Sequence, residues 1–478
     1  MHSNEQGRLS PEQAGVLRRV TASRGIAHGA GITEGAFDPY SISIATQHDR
    51  NLTEKDVVLG DPDSVDAWCT MIHEWVHFMQ YHSTSYGLLM TLNGLKQARA
   101  FADLMKAMVS LGLDPEKDGL SIPLMSAIDH GVYPAKFEPA LRAFLGEWTS
   151  AQSGMHRLFG RLETDRWGRE VFHKVPREFL PAIAPQDRDA HLTTAFLMEP
   201  IAVACEGHWL MANHSREVAR RETARRICLE PEYTLFPALC SALELNVPTR
   251  LCLHDICLMV PVSNDWDSVD LAAYNPVTRM LRSLRLLASG EVDQVEDSEK
   301  DSYLKLARAL GSKLGWQDPE ETVEESRQLV KALVGSTNED SSQRSGVQPL
   351  LQPLVDLREA FAVRARRPDA FLCLTPESHR LYSSGWQPAW RMQDGWATTN
   401  SETDGAVARG RITYSIRQNV LRSFVLGGVW SCPHEGECGA GAGAFPCGPA
   451  DNMACICRLA VELTLGEAIS PEQIRTIA

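Results

Sequence analysis

The chain has 478 residues, more than a single hydrophobic core usually supports, so two domains and a smaller module are expected. Apolar residues at 44% and charged residues at 23% are ordinary globular values, which excludes a largely disordered or fibrous chain. A formal charge of −14 works against broad binding to nucleic acid or to an anionic membrane, because either would repel the surface as a whole.

Met1 to Arg8 is polar and has no apolar core of the kind a secretory signal needs. No apolar run approaches the length of a membrane span, so a cytoplasmic protein is expected. Tyr40 to Thr46 alternates apolar and polar residues and predicts a short strand. Asp61-Pro62-Asp63-Ser64 then offers capping side chains and a proline suited to a helix start. A second helix is predicted from about Tyr86 to Leu111, with further helical pieces over 139–159 and 192–212. The charged stretch 293–335 keeps helical spacing at Tyr303, Leu304, Leu306, Ala307 and Leu310 and predicts an exposed amphipathic helical pair. The fold class expected is mainly α with a small strand element. Residues 1–290 form the principal domain, 291–335 a charged helical segment, 336–347 a polar linker, and 348–478 a Cys-rich C-terminal domain.

The chemistry centres on His73-Glu74-Trp75-Val76-His77. Histidines at i and i+4 project about 40° apart on a helix, so both imidazoles can reach one ion with Glu74 beside them. Asp66, Thr70, His73, Glu74, His77, Gln80 and Tyr81 share one sector of this helix, and the rest is apolar apart from Cys69. Burying such a polar stripe is costly unless its members are paired or hold a metal. The competing reading is a surface helix whose polar face is merely solvated. Two neutral histidines and a third ligand would hold zinc with one position open, and Glu74 would serve as general base toward an activated water.

On these residues the sequence resembles the zincin metallopeptidases, over the helix from about Ser64 to Tyr81. The extended pattern with a third histidine fails, because Gln80 stands where it requires glycine and Ser83 where it requires histidine. The resemblance therefore implies the gluzincin type, in which a glutamate on a later helix completes the site. Glu199, a carboxylate inside the apolar run Ala195 to Cys205, is the first choice; its other reading is an N-terminal helix acid beside Pro200. Glu206, two turns on, is either a partner of a ligand histidine or the ligand itself. Tyr81, His82, Tyr86 and His208 are candidate donors to a developing oxyanion. The resemblance implies a protein or peptide substrate, and a cytoplasmic setting implies selectivity or a regulatory protein partner.

Near the C-terminus Cys432, His434, Cys438, Cys447, Cys455 and Cys457 crowd into a Gly- and Pro-rich segment with little apolar material. A second, structural zinc, an iron–sulfur cluster or free thiols would each account for them. Cys252-Leu253-His254-Asp255-Ile256-Cys257 reads as core rather than as a ligand set. Two other functions compete. In one, Glu74 and His77 pair with Glu170 and His173 in a di-iron carboxylate protein, Glu199 and Glu206 bridging. In the other, the metal helix belongs to a non-catalytic sensor or scaffold.

Overall fold

The computed structural model describes residues 35–38, 42–46, 62–112, 131, 133–159, 194–227, 231–262, 275–338, 352–372, 389–392, 395–397, 411, 414, 415 and 418. These are mainly helical. Strands β1 (Gly35–Asp38) and β2 (Ser43–Thr46) precede helices α1 (Pro62–Ser83), α2 (Ser85–Ser110) and α3 (Glu138–Phe159). Then come α4 (Ala195–Asn213), α5 (Arg216–Ile227), α6 (Pro231–Ala242), α7 (Val247–Leu258) and α8 (Pro276–Ala288). Helices α9 (Lys300–Leu314), α10 (Pro319–Asn338) and α11 (Gln352–Arg364) lead to strands β3 (Ala389–Met392) and β4 (Gly395–Ala397). No described helix is long and apolar enough to cross a membrane.

Helix α1 is the centre of the molecule. From Val65 to Thr91 every residue except Asp66 is buried, which excludes a solvated surface helix. Its apolar side chains Trp68, Met71, Ile72, Trp75, Val76, Phe78 and Met79 share a core with Ile42, Ile44 of β2, Ile201 and Ala202 of α4, and Ala360 of α11. Burying each large apolar side chain contributes about 1.5–3 kcal/mol, enough to hold α1 in place although its sequence also carries the polar stripe. α1 packs most extensively on α4.

A second core joins α4, α6, α7, α8 and α9 through Leu197, Phe236, Leu253, Met280, Leu284 and Leu310. Asparagines fix two helix starts here: Asn246 accepts from the Thr249 amide, and Asn275 from the amides of Val277 and Thr278. The apolar residues predicted to lie along 293–335 fall on α9, and Tyr303, Leu304, Leu306, Ala307 and Leu310 are all buried in this core. A third core joins Leu88 of α2 and Met259 to Val323, Val330 and Val334 of α10 and to Leu354, Leu357 and Phe361 of α11. Segments on both sides of 290, and on both sides of the stretch 336–347, therefore pack on one another. Helix α10 runs to Asn338, into the start of that stretch.

The strands form one four-stranded sheet in the order β1-β2-β3-β4. β1 and β2 are antiparallel, as are β3 and β4, while β2 pairs parallel with β3, setting Ile44 opposite Trp390. The predicted strand over 40–46 is present at Ser43–Thr46, with Ile42 and Ile44 buried.

Candidate metal centre

His73 and His77 sit one turn apart on α1, and Glu199 and Glu206 two turns apart on α4, so each pair shares a helix face. Packing of α1 on α4 brings the two faces together. The Nε2 atoms of His73 and His77 lie 3.0 Å apart, and Glu199 Oε2 is 2.7 Å from the first and 3.1 Å from the second. These three side chains form a group able to hold a metal ion. Both histidines are buried, whereas the Glu199 side chain is 22% exposed, so the triad meets solvent on the carboxylate side.

The other nitrogen of each ring is also engaged. His73 Nδ1 lies 2.5 Å from Glu206 Oε1, and His77 Nδ1 lies 3.1 Å from Gln80 Oε1. A carboxylate only accepts, so His73 donates from Nδ1 to Glu206, and in the neutral ring this turns the lone pair of Nε2 toward Glu199. Lone pairs of a ring nitrogen and a carboxylate oxygen facing each other at this distance repel unless a cation lies between them. A proton or a metal ion can fill that role.

The electrostatics point the same way. Burial works to lower the His73 pKa, but the hydrogen bonds and charges of Glu199 and Glu206 outweigh it and hold it well above the usual value. His77 is raised too: burial opposes the shift, Glu199 drives it, and the nearby charge of Glu74 adds to it. Burial favours the neutral form of Glu199, yet His77 and His73 hold its pKa below the usual carboxylate range. Zinc at about 2.0–2.1 Å from each of three tetrahedral donors needs those donors about 3.3 Å apart, so a widening of a few tenths of an ångström would seat it. Residues and geometry fit the ion.

Glu199, the first choice from the sequence, is the carboxylate that meets both Nε2 atoms. Glu206 occupies the alternative place foreseen for it, as partner to a ligand histidine. Glu74 is 7% exposed and lies close enough to His77 for its charge to act there. The proposed oxyanion donors fare differently. His208 is exposed. His82 is fully buried, donates from Nδ1 to the Phe78 carbonyl, and is pushed down to about 4 by burial. Tyr81 and Tyr86 are buried in the core around α1. The tyrosine that reaches the site is Tyr233 on α6, its ring edge-on to His73 at 5.8 Å between centroids. Nothing in the local sequence marks Tyr233, because α6 comes near α1 through the packing of both helices on α4.

The segment 252–257 is core, as expected. Cys252 and Cys257 are buried with thiols pushed up to about 12 by burial, and His254 is pushed down to about 3 by the same cause. Glu170, His173, Cys432, His434, Cys438, Cys447, Cys455 and Cys457 lie outside the described residues. Compared with protein-family models, curated proteins and solved structures, the chain shows no significant match, so its reading rests on its own residues.

Proposed function

We propose that this chain is a zinc-dependent hydrolase acting on a peptide bond of a protein or peptide in the cytoplasm. The observation that carries the reading is the convergence of His73 Nε2, His77 Nε2 and Glu199 Oε2 on one buried point, with a second acid, Glu74, between the two histidines in sequence. When bound there, zinc supplies Lewis-acid polarisation of a carbonyl and acidifies a water. His73, His77 and Glu199 would hold it. Glu74 would take a proton from the attacking water and deliver it to the leaving nitrogen. Its carboxylate suits that work because it is buried close to His77 but is not needed as a ligand. Tyr233, next to His73, is the side chain placed to steady a substrate at the rim. Glu206 would keep the His73 ring oriented while charge builds at the site.

A purely structural metal site has no use for a base, which separates this reading from that of a sensor or scaffold. Glu74→Gln keeps the shape of the side chain and removes its ability to accept a proton. We expect the variant to retain its metal and to lose hydrolysis about 10²–10⁴-fold, measured by mass spectrometry on a peptide library digested by each protein. Equal cleavage by Glu74→Gln and wild type would remove Glu74 from the chemistry.

A further inference from the structure

We propose that Gln80 is a positioning residue that fixes His77 as the tautomer protonated on Nδ1, leaving Nε2 bare for a metal; this rests on the metal reading above. The two ends of an amide have opposite roles, and both are assigned by what surrounds Gln80. The Met198 carbonyl can only accept, so the amide nitrogen faces it and donates at 3.3 Å. The amide oxygen is thereby turned toward His77 Nδ1, 3.1 Å away. That oxygen can only accept, so the ring nitrogen must be the donor. In the neutral ring, the form that binds a metal, this leaves an unprotonated Nε2 facing His73 and Glu199.

Gln80 is only 8% exposed, and burying an amide is costly unless both of its ends are bonded. Both are. Its place in the chain follows from helix geometry, since residues three apart share a side of α1. The partner carbonyl belongs to Met198, the residue just before the ligand Glu199, so the amide is oriented by the same backbone that carries the third ligand. His73 receives the same tautomer from Glu206. A neutral amide at 80 serves His77 without adding a further negative charge beside Glu74, Glu199 and Glu206.

The test uses the full chain with zinc as the probe. Nitrogen-15 spectra of the zinc-loaded wild type should show His77 bound through Nε2 and carrying hydrogen on Nδ1. Gln80→Leu should weaken zinc binding 10–100-fold in a chelator competition, the range expected for losing a partner of a metal-bound histidine. Gln80→Glu keeps an acceptor at Nδ1 but loses the donor to the Met198 carbonyl and adds a charge, so whatever its affinity its zinc-loaded form should show His77 bound through Nε2 with hydrogen on Nδ1. This second variant keeps the idea testable if Gln80→Leu does not fold. Metal bound through Nδ1 of His77 in wild type or in Gln80→Glu, or wild-type affinity in Gln80→Leu, would each overturn the role of Gln80 while leaving the zinc site standing. A wild-type chain that binds no zinc at His77 would overturn the metal reading, and this inference with it.

Discussion

Each ring of the candidate centre has both nitrogens engaged, and His73 shows why the sequence revealed part of this. Its helix spacing to His77 is local, so the pair could be read from the residues alone. The third ligand could be chosen because a carboxylate in the apolar run around Glu199 needs a partner, and α4 supplies one across its packing with α1. The place of Gln80 beside His77 follows from helix spacing, but its orientation, like the position of Tyr233, depends on a contact between helices that no spacing encodes. Two other histidines, His82 and His254, behave in the opposite sense to the pair at the site. His82 and His254 are buried, and burial depresses them to about 4 and about 3. A depressed folded pKa means that the unfolded chain takes up protons first as pH falls. The stability these two residues permit is therefore fully present above pH 6.5 and is lost as pH drops toward 4. Down to pH 5 the loss should be about 2 kcal/mol per histidine. Denaturant unfolding at pH 7 and pH 5 measures it, and His254→Leu should lose less than wild type over that interval. An equal loss in both proteins would show that His254 is not the titrating group.

Among the helices, α1 is the best predicted and the most dependent on its neighbours. Its start was legible in Asp61-Pro62, and its buried character in the scarcity of charged residues apart from the polar stripe. α4 and α2 were legible from apolar periodicity in the same way. The small helices α5 to α8 were not, because they are short, only 12 or 13 residues each; Pro231, Pro248 and Pro276 stand in the first turns of α6, α7 and α8, and Pro237 lies inside α6. What anchors the end of α1 also lay beyond sequence reading. Arg364, the last residue of α11, is buried with its guanidinium on Asp255 of α7 at 2.6 and 2.8 Å, and it donates to the backbone carbonyl and the hydroxyl of Ser83, where α1 ends. Tyr303 of α9 donates to the same Asp255 at 2.8 Å. Four helices thus meet at one buried ion pair. Removing one partner leaves a charge buried without its counterpart, so Arg364→Leu should cost about 3–5 kcal/mol. The double change Arg364→Leu with Asp255→Leu should cost less than the sum of the single changes. Denaturant midpoints of the four proteins decide this, and additive losses would mean that the pair does not act as a unit.

At the scale of the whole molecule, the chain joins distant segments more closely than its composition indicates. The parallel pairing of Ser43–Ala45 with Ala389–Arg391 brings stretches far apart in the chain into one sheet. Asp356 of α11 forms a buried ion pair with Arg411 at 2.8 Å, and Gln418 donates to the Gly94 carbonyl of α2. A polar stretch such as 336–347 suggests a boundary because it has nothing to bury, yet the apolar faces before and after it find each other across the fold. Local pattern shows which faces are apolar. It does not show which of them meet. The candidate centre depends on such a meeting, that of α1 with α4, and its metal is therefore the most direct test of the whole account. Zinc per chain should be measured by elemental analysis on the purified wild type and on His77→Ala. The account predicts that His77→Ala carries about one equivalent less than wild type, whatever zinc the C-terminal cysteines bind, because removing one of three ligands leaves an inadequate site. An unchanged zinc content in His77→Ala, with the fold intact, would contradict it.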